Sequence, residues 1–296
     1  MSRVTLFGAM GVLLWGMALA GELPAPGEGR RLGRDQVEMV FIPGGTFQQG
    51  ARLLDLEALP DEHPVHPVTL KGFWLDRLEV TNAQFLRYVE ATGYRQRDVE
   101  VPALRIRVDD FWRKFFTPGQ EQHPVVAVSW DEAAAYCQWA GKRLPTESEW
   151  ERAARGADRR RYPWGDAFDP SRLNINASQP GPVGMFPAGA SPYGVQDLAG
   201  NVGEWTADWF ERYPGNTLSY GEKAYGQRYK VWRGGSYKDG EKPQMLRVTA
   251  RYATSPDFRT EFVGFRCVMD LDAAAAPQEK PAAPAETAPQ PKPAGG

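Results

Sequence analysis

The sequence predicts an α+β domain with a few helices, short twisted strands and many ordered loops. Its 296 residues include 31 glycines and 10 tryptophans, which favours irregular, aromatic-packed structure over long regular elements. Short segments with strand alternation or capped helical spacing are separated by proline and glycine. With 42% hydrophobic residues, a chain of this length can bury one large core or two modest ones.

The N-terminus has the pattern of a secretory signal peptide. One arginine precedes an apolar run from Val4 to Ala20, and small residues at its end predict cleavage after Ala20. Because the run is short and interrupted by glycine, a cleaved signal is favoured over a membrane anchor. We therefore expect a periplasmic or secreted protein without a stable membrane span. Residues 21–36, rich in Pro, Gly and Arg, predict a flexible lead-in.

Strands are expected before and between three helices. Residues 36–47 and 65–78 have strand patterns that end in turns. Side-chain hydroxyl groups that can cap a helix predict helices beginning after Thr81, Ser129 and Thr146. Glu149 completes a capping box with Thr146, and Gly93 is expected to end the first helix.

Charge argues against a nucleic-acid interface. The formal net charge is -2, so no broad positive surface is expected. Five arginines at positions 152, 155 and 159–161 form a basic run. Since such runs are commonly solvated helix ends, a solvated surface is favoured over a binding patch.

The stretch from Asp197 to Trp205, Asp-Leu-Ala-Gly-Asn-Val-Gly-Glu-Trp, concentrates groups that bind hard cations. Calcium prefers carboxylate oxygens and main-chain carbonyls, and glycine-assisted turns can turn such carbonyls toward an ion. The alternative is a polar loop whose Asp and Asn side chains bond only to the main chain. Spacing alone does not separate the two.

Several motifs resemble the formylglycine-generating, sulfatase-modifying factor family, which also includes ergothioneine synthases and pyoverdine-maturation proteins. The motifs are Met39–Phe47, Phe73–Asn82, His123–Trp130, Gly141–Trp150, Tyr162–Gly165, Asp197–Trp205, Gly234–Tyr237 and Gly264–Cys267. The resemblance implies a single domain over residues 37–272 with the irregular, C-type-lectin-like α+β fold of that family. Residues 273–296, rich in Ala and Pro, predict a disordered tail.

The resemblance also implies a calcium ion as cofactor. Relatives bind calcium through side chains at the positions of Asp197 and Glu204. Main-chain carbonyls at the positions of Gly200 and Val202 complete that set. All four positions are compatible with calcium, since a carboxylate at 197 is a stronger ligand than an amide.

A disulfide is expected between Cys137 and Cys267. An even number of cysteines in an exported protein is usually oxidised. The resemblance supports the pairing, because relatives carry a structural disulfide between these two motif positions. Residues 94–122, which interleave Arg with Phe and Trp, look least like the family. They are expected to form either a wall of a substrate groove or a surface insertion whose aromatics pack onto the core.

Copper is not expected. In formylglycine-generating relatives two cysteines after a Gly-Gly-Ser-Tyr motif hold copper, because soft thiolates select that metal. Here those positions hold Asp239 and Pro243. The catalytic residues are therefore unknown. Candidates around the former copper position, for proton transfer or peptide binding, are Ser236, Tyr237, Asp239, Glu241 and Arg251. The alternative is that these residues form a solvated rim.

Three functions remain compatible with the sequence. The first is an exported calcium-binding accessory or binding protein that acts in the maturation of an exported protein or peptide. The second is a periplasmic oxidoreductase resembling the pyoverdine-maturation members. The third is formylglycine generation with altered ligands. The sequence names neither the substrate nor the oligomeric state.

Overall fold

Two four-stranded sheets and three capped helices form the framework of the described residues. The computed structural model describes residues 23–97, 99–101, 106–218 and 223–275. The expected signal peptide and most of the expected tail lie outside this part. Within it, no helix combines the length and the apolar character needed to cross a bilayer.

The strands are short, as the sequence predicts for this fold class. They are β1 (Gly29–Leu32), β2 (Val37–Ile42), β3 (Gly45–Gln49), β4 (His66–Leu70), β5 (Phe73–Asp76), β6 (Val99–Val101), β7 (Ile106–Val108), β8 (Gly203–Trp209), β9 (Lys230–Arg233), β10 (Tyr252–Thr254), β11 (Val263–Gly264) and β12 (Val268–Asp270). The first sheet has the order β1-β2-β5-β12 and is antiparallel. The second has the order β10-β9-β8-β11, with β11 parallel to β8. The strand pairs β3–β4 and β6–β7 form two further small sheets.

The helices are α1 (Asn82–Thr92), α2 (Trp130–Trp139), α3 (Glu147–Arg155) and the short α4 (Leu271–Ala275). The three predicted N-caps are confirmed, each with a reciprocal capping box. In α3, for example, Thr146 Oγ1 accepts from the main-chain N–H of Glu149 at 3.2 Å, and Glu149 Oε2 accepts from Thr146 N–H at 2.8 Å. Gly93 ends α1 with a left-handed φ of 67°.

Residues 29–32 belong to the first sheet, so the prediction of a flexible lead-in was wrong for them. Strand β1 pairs with β2 from Gly29 opposite Val40 to Leu32 opposite Val37. Leu32 is buried, and the Arg30 guanidinium lies 5.1 Å from the ring centre of Trp74. Arg30 therefore covers the Trp74 ring with its side chain while the main chain of β1 completes the sheet edge.

The main core lies between α1, α2 and the second sheet. The disulfide joins Cys137 of α2 to Cys267, with 5.6 Å between the Cα atoms, so the predicted pairing is confirmed. Trp112, from the stretch least like the family, is buried against Phe85 at a ring distance of 5.1 Å. The aromatics of residues 111–116 thus pack back onto the core.

Gly203, the first residue of β8, touches the ring of Trp232 on β9. A Cβ at this position would lie 2.4 Å from the ring atom Cε3, closer than any real contact. Trp232 is held on its other side by Tyr252, whose ring is stacked at 3.9 Å. Position 203 therefore has room for glycine alone while this stack is intact.

Helix α3 is buried on nearly every side, and the interpretation of its arginines as solvated was wrong. Arg152 is 6% exposed and Arg155 is 2% exposed. Arg155 Nη1 donates to Glu151 Oε1 at 2.7 Å and to the carbonyls of Gln48 and Gly50 at 3.1 and 3.0 Å. Buried guanidinium groups need such partners, and strand β3 and the residue after it supply them.

Candidate functional site

The segment after β9, residues 234–243, contains the Gly-Gly-Ser-Tyr motif after which the resemblance implies copper ligands in relatives, and we call it the Gly234 loop. Gly234 and Gly235 have left-handed φ values of 96° and 65°. A Cβ on Gly235 would approach Leu246 Cδ2 to 2.8 Å and the Met245 carbonyl oxygen to 3.0 Å. The two glycines therefore let the chain fold back tightly against the short helical turn at residues 243–246.

Asp239, which the resemblance aligns with about the first copper ligand of relatives, closes this loop. Its Oδ2 accepts from the main-chain N–H and from the hydroxyl of Ser236, both at 2.9 Å. The main-chain N–H of Asp239 in turn donates to the Ser236 carbonyl at 3.1 Å. Asp239 thus acts as a turn-forming carboxylate.

The remaining predicted pocket residues lie in different environments. Tyr237 is buried, and burial raises its pKa, whereas Glu241 is exposed. Arg251 points toward α3, where its Nε and Nη2 donate to Glu147 Oε1 and Oε2 at 2.6 and 2.9 Å. Of the five candidates, Ser236 and Asp239 are joined directly by hydrogen bonds, and Arg251 is committed to a separate ion pair.

A groove of about 300 Å³ runs beside the Gly234 loop, and we call it the Tyr237 groove. The residues that give it its chemistry are Lys114, Phe115, Gln120, His123, Tyr237 and Glu261. At its edge Lys238 forms an ion pair with Glu261, and its ammonium lies 5.3 Å from the ring centre of Phe262. The groove therefore offers aromatic surface together with charges of both signs.

Behind the loop lies a cluster of buried charges that the sequence did not reveal, and we call it the arginine cluster. It consists of Arg233, Arg247, Arg251, Glu62, Glu147 and Glu151. Arg233 donates to Glu147 Oε1 at 2.5 Å and to Glu151 Oε2 at 2.8 Å. Arg247 makes a two-point contact with Glu62 at 2.7 and 2.8 Å.

The arginines control the ionisation of Glu147. Burial alone would raise the pKa of this carboxyl, but the charges of Arg251 and Arg233 outweigh burial and lower it to about 2. The guanidinium groups in turn remain charged because the carboxylates face them. The cluster is therefore a fixed, ionised support for the end of β9, from which the Gly234 loop departs.

A larger cleft of about 760 Å³ opens on the other side of Arg251. Asp208 lines it and accepts from the main-chain N–H of Glu147 at 2.6 Å, and burial raises its pKa to about 6. Lys230, also on this wall, lies between the rings of Trp130 and Trp209, 3.8 and 3.9 Å from their centres. Because both ring faces and the Ala207 carbonyl hold this ammonium, Lys230 braces the wall of the cleft.

The predicted calcium loop leads into β8, and its side chains already have partners. Asp197, in a left-handed conformation with φ 61°, accepts from Gly184 N–H at 2.6 Å. Glu204 binds Arg266 through both oxygens at 2.7 Å and accepts from the indole N–H of Trp150 at 2.8 Å. Glu204 is therefore the carboxylate of a buried ion pair.

Other features of this loop fit a cation. Among the described residues no hydrogen bond reaches the carbonyls of Gly200 or Val202. Glu79 Oε2 is buried there without a donor, and burial together with the charge of Asp197 raises the pKa of Glu79 well above its usual value. No group of three or more His, Cys, Asp or Glu side chains in the described part is placed to hold a metal ion. A calcium ion here would therefore depend on the two carbonyls and Asp197, with Glu204 shared between it and Arg266.

Comparisons with known proteins connect this geometry to a family. Residues 28–271 match the family described as Sulfatase-modifying factor enzyme 1-like domain. The chain is 37% identical over 286 residues to the formylglycine-generating enzyme of Thermomonospora curvata, covering 78% of this chain and 93% of that protein. The solved structure of PvdO from Pseudomonas aeruginosa superposes with a TM-score of 0.70 at 28% identity, over 84% of this chain and 100% of that one.

The match to longer relatives is partial. The chain is 41% identical over 244 residues to the serine/threonine-protein kinase pkn1 of Chlamydia caviae, over 79% of its own length. It spans 38% of the length of that relative. The similarity to this relative is therefore confined to part of its length. This chain belongs to the sulfatase-modifying factor family.

Proposed function

We propose that this protein is an exported, calcium-binding member of the family that holds an exported protein or peptide and assists its maturation without copper. The observation that carries the proposal is that both cysteines are used in a disulfide. The sequence has 2 cysteines, and both are joined in the disulfide between Cys137 and Cys267. Since Asp239 and Pro243 stand at the copper positions, no thiolate is present there to select that metal.

The Tyr237 groove supports peptide binding. Its volume of about 300 Å³ suits one or two side chains of an extended segment, at the lower end of ligand-site sizes. Phe115 supplies apolar contact over the buried Tyr237, while Lys114 and Glu261 can bind charged or amide groups of a peptide. The neighbouring Gly234 loop, closed by Asp239 and Ser236, supplies a firm wall.

The test is a pair of assays on the same purified protein. Incubation with a Cys-x-Pro-x-Arg peptide and copper is expected to leave the cysteine unmodified by mass spectrometry. Capture from the periplasm is expected to retain a specific partner, and Phe115→Ala, at a half-buried residue that lines the groove, is expected to lose that partner at least tenfold. The matched control is Leu218→Ala, which removes an apolar side chain that is 48% exposed and does not line this groove, and it should retain the partner. Protein-dependent aldehyde formation on the peptide would overturn the proposal.

The likeness to PvdO favours a second candidate, an oxidoreductase of the kind represented by the pyoverdine-maturation members. That superposition, with a TM-score of 0.70, covers most of both chains. Such an enzyme would consume oxygen with a siderophore-like or phenolic substrate. An oxygen electrode with candidate phenols separates it from an accessory protein, which should show no turnover.

Calcium is expected to stabilise the protein through the loop at residues 197–204. At a free calcium concentration of about 100 Kd, stabilisation by one site is about 2.7 kcal/mol. Differential scanning calorimetry in calcium and in EDTA should therefore show a higher Tm with calcium. Asp197→Ala should lose most of this response, whereas Asp166→Ala, at an acid whose side chain is 61% exposed, should keep it. An identical Tm in calcium and EDTA would remove calcium from the proposal.

A further inference from the structure

A loop at residues 52–59, which we call the leucine loop, presents its large apolar side chains to solvent. Leu53, Leu54 and Leu56 are 87%, 86% and 96% exposed. Isolated exposed leucines are ordinary on protein surfaces, but three within four residues form a concentrated apolar tip. Leu53 borders a cavity of about 540 Å³ whose other lining residues include Pro64 and Leu218, whereas Leu54 and Leu56 are not among the residues that line it.

The main chain of the loop is bonded within the loop and its base. The N–H of Asp55 donates to the Arg52 carbonyl at 2.9 Å, and that of Ala58 donates to the Asp55 carbonyl at 3.0 Å. The N–H groups of Glu57 and Leu59 donate to the side chains of Asp55 and Glu62 at 3.2 and 2.9 Å. A segment that enters an apolar phase must satisfy its main-chain polar groups internally, and much of this loop does so.

The charges of the loop are turned away from the tip or paired. Asp55 is 12% exposed at its side chain, where Arg161 and Arg247 lie 3.4 and 3.5 Å away. Glu57 is paired with the same Arg161. Arg52, at the base of the tip, lies 3.5 Å from Asp166 and keeps 46% of its side chain exposed. The tip is therefore apolar, and a long cationic side chain stands beside it.

We propose that the leucine loop inserts into the surface of a phospholipid bilayer. The cavity beside Leu53 does not include Leu54 or Leu56, which are 86% and 96% exposed, and separate protruding leucines are best surrounded by a fluid apolar phase. The cations near the tip are largely balanced by Asp55, Glu57 and Asp166, so the leucines dominate binding and anionic lipid adds little. Glu57 and Leu59 also line a cavity of about 400 Å³ beside Met245, so insertion places this cavity next to the membrane surface.

The experiment uses residues 23–296, which contain every described element and lack the apolar N-terminal run. Both native cysteines are in the disulfide, so a cysteine introduced by Leu54→Cys takes an environment-sensitive fluorophore at one place. Met185→Cys is the matched control, because Met185 is a large apolar side chain that is 60% exposed outside the loop. Vesicles of phosphatidylcholine, with and without phosphatidylglycerol, are titrated into each labelled protein.

The emission maximum of the fluorophore at position 54 is expected to shift to shorter wavelength with both vesicle types. The emission maximum of the fluorophore at position 185 is expected to stay unchanged. Adding Leu53→Ser and Leu56→Ser to the Leu54-labelled protein is expected to weaken vesicle partitioning at least tenfold, since apolar burial drives it. Thermal unfolding should stay unchanged, because the replaced side chains are exposed. An emission maximum at position 54 that does not change on adding vesicles would overturn the proposal. Vesicle partitioning that is unaffected by the two serine substitutions would overturn it as well.

Discussion

Replacing Glu147 with glutamine is expected to lower the free energy of unfolding by about 3–5 kcal/mol, the usual cost of removing one partner of a buried ion pair. Glu147 Oε1 receives Arg233 at 2.5 Å and Arg251 at 2.6 Å, and all three side chains are buried. The amide keeps the shape of the carboxylate but carries no charge. Two guanidinium groups are then left without their shared counter-charge.

Urea unfolding measures this loss directly, and calorimetry should show a fall in Tm on the order of 10 °C. The matched control is Glu241→Gln, the same change at an exposed position of the Gly234 loop. We expect the control to unfold with the wild-type protein. A loss of less than about 1 kcal/mol in Glu147→Gln would show that the cluster contributes no more than a surface pair.

The difference in unfolding free energy between the wild type and Glu147→Gln is expected to depend on pH. The pKa of Glu147 falls from 4.5 to about 2 on folding, because Arg251 and Arg233 outweigh the effect of burial. The unfolded chain therefore binds more protons than the folded one between these values. The contribution of Glu147 to the free energy of unfolding is fully present above about pH 5 and is lost as the pH falls toward 2. The stability gap between wild type and Glu147→Gln should narrow over that range.

Removing the disulfide is expected to cost about 4–5 kcal/mol in the chain-entropy model. Cys137 and Cys267 are 130 residues apart, so the bridge closes a long loop in the unfolded chain. The double variant Cys137→Ala/Cys267→Ala should unfold at lower urea concentration than the oxidised wild type. Both cysteines are fully buried, so alanine also leaves a small cavity that adds to the loss.

Single variants provide the control for this prediction. Cys137→Ala alone and Cys267→Ala alone each remove the whole bridge, so both should resemble the double variant. If either single variant keeps wild-type stability under non-reducing conditions, the bridge does not stabilise the domain. Unchanged stability of the wild type after full reduction would lead to the same conclusion.

The parts of the fold that sequence predicted are those that local chemistry determines. Thr81, Ser129 and Thr146 start their helices because each hydroxyl bonds a main-chain N–H three residues ahead. Gly93 ends α1 because glycine tolerates the left-handed turn there. The cysteine pairing depended on parity and family resemblance, and the structure confirms it.

What the sequence did not reveal depends on partners far along the chain. Arg233 and Arg247 meet carboxylates that are 86 and 185 residues away, and no local pattern distinguishes such arginines from solvated ones. Strand β1 was missed because its arginine-rich composition resembles a linker until β2 is placed beside it. The pocket candidates shared one short stretch of sequence, but Arg251 faces α3 while Asp239 closes its own turn.

The contact between Gly203 and Trp232 restricts the order in which this lineage can change. Any larger residue at 203 collides with the indole, so a substitution there is deleterious while Trp232 remains stacked on Tyr252. A smaller residue at 232 would remove this collision, but the loss of the buried indole would leave a cavity in the core. Descendants that acquire a side chain at 203 are therefore expected to have changed position 232 first. The two positions are therefore expected to be epistatic, with the substitution at 232 preceding the substitution at 203.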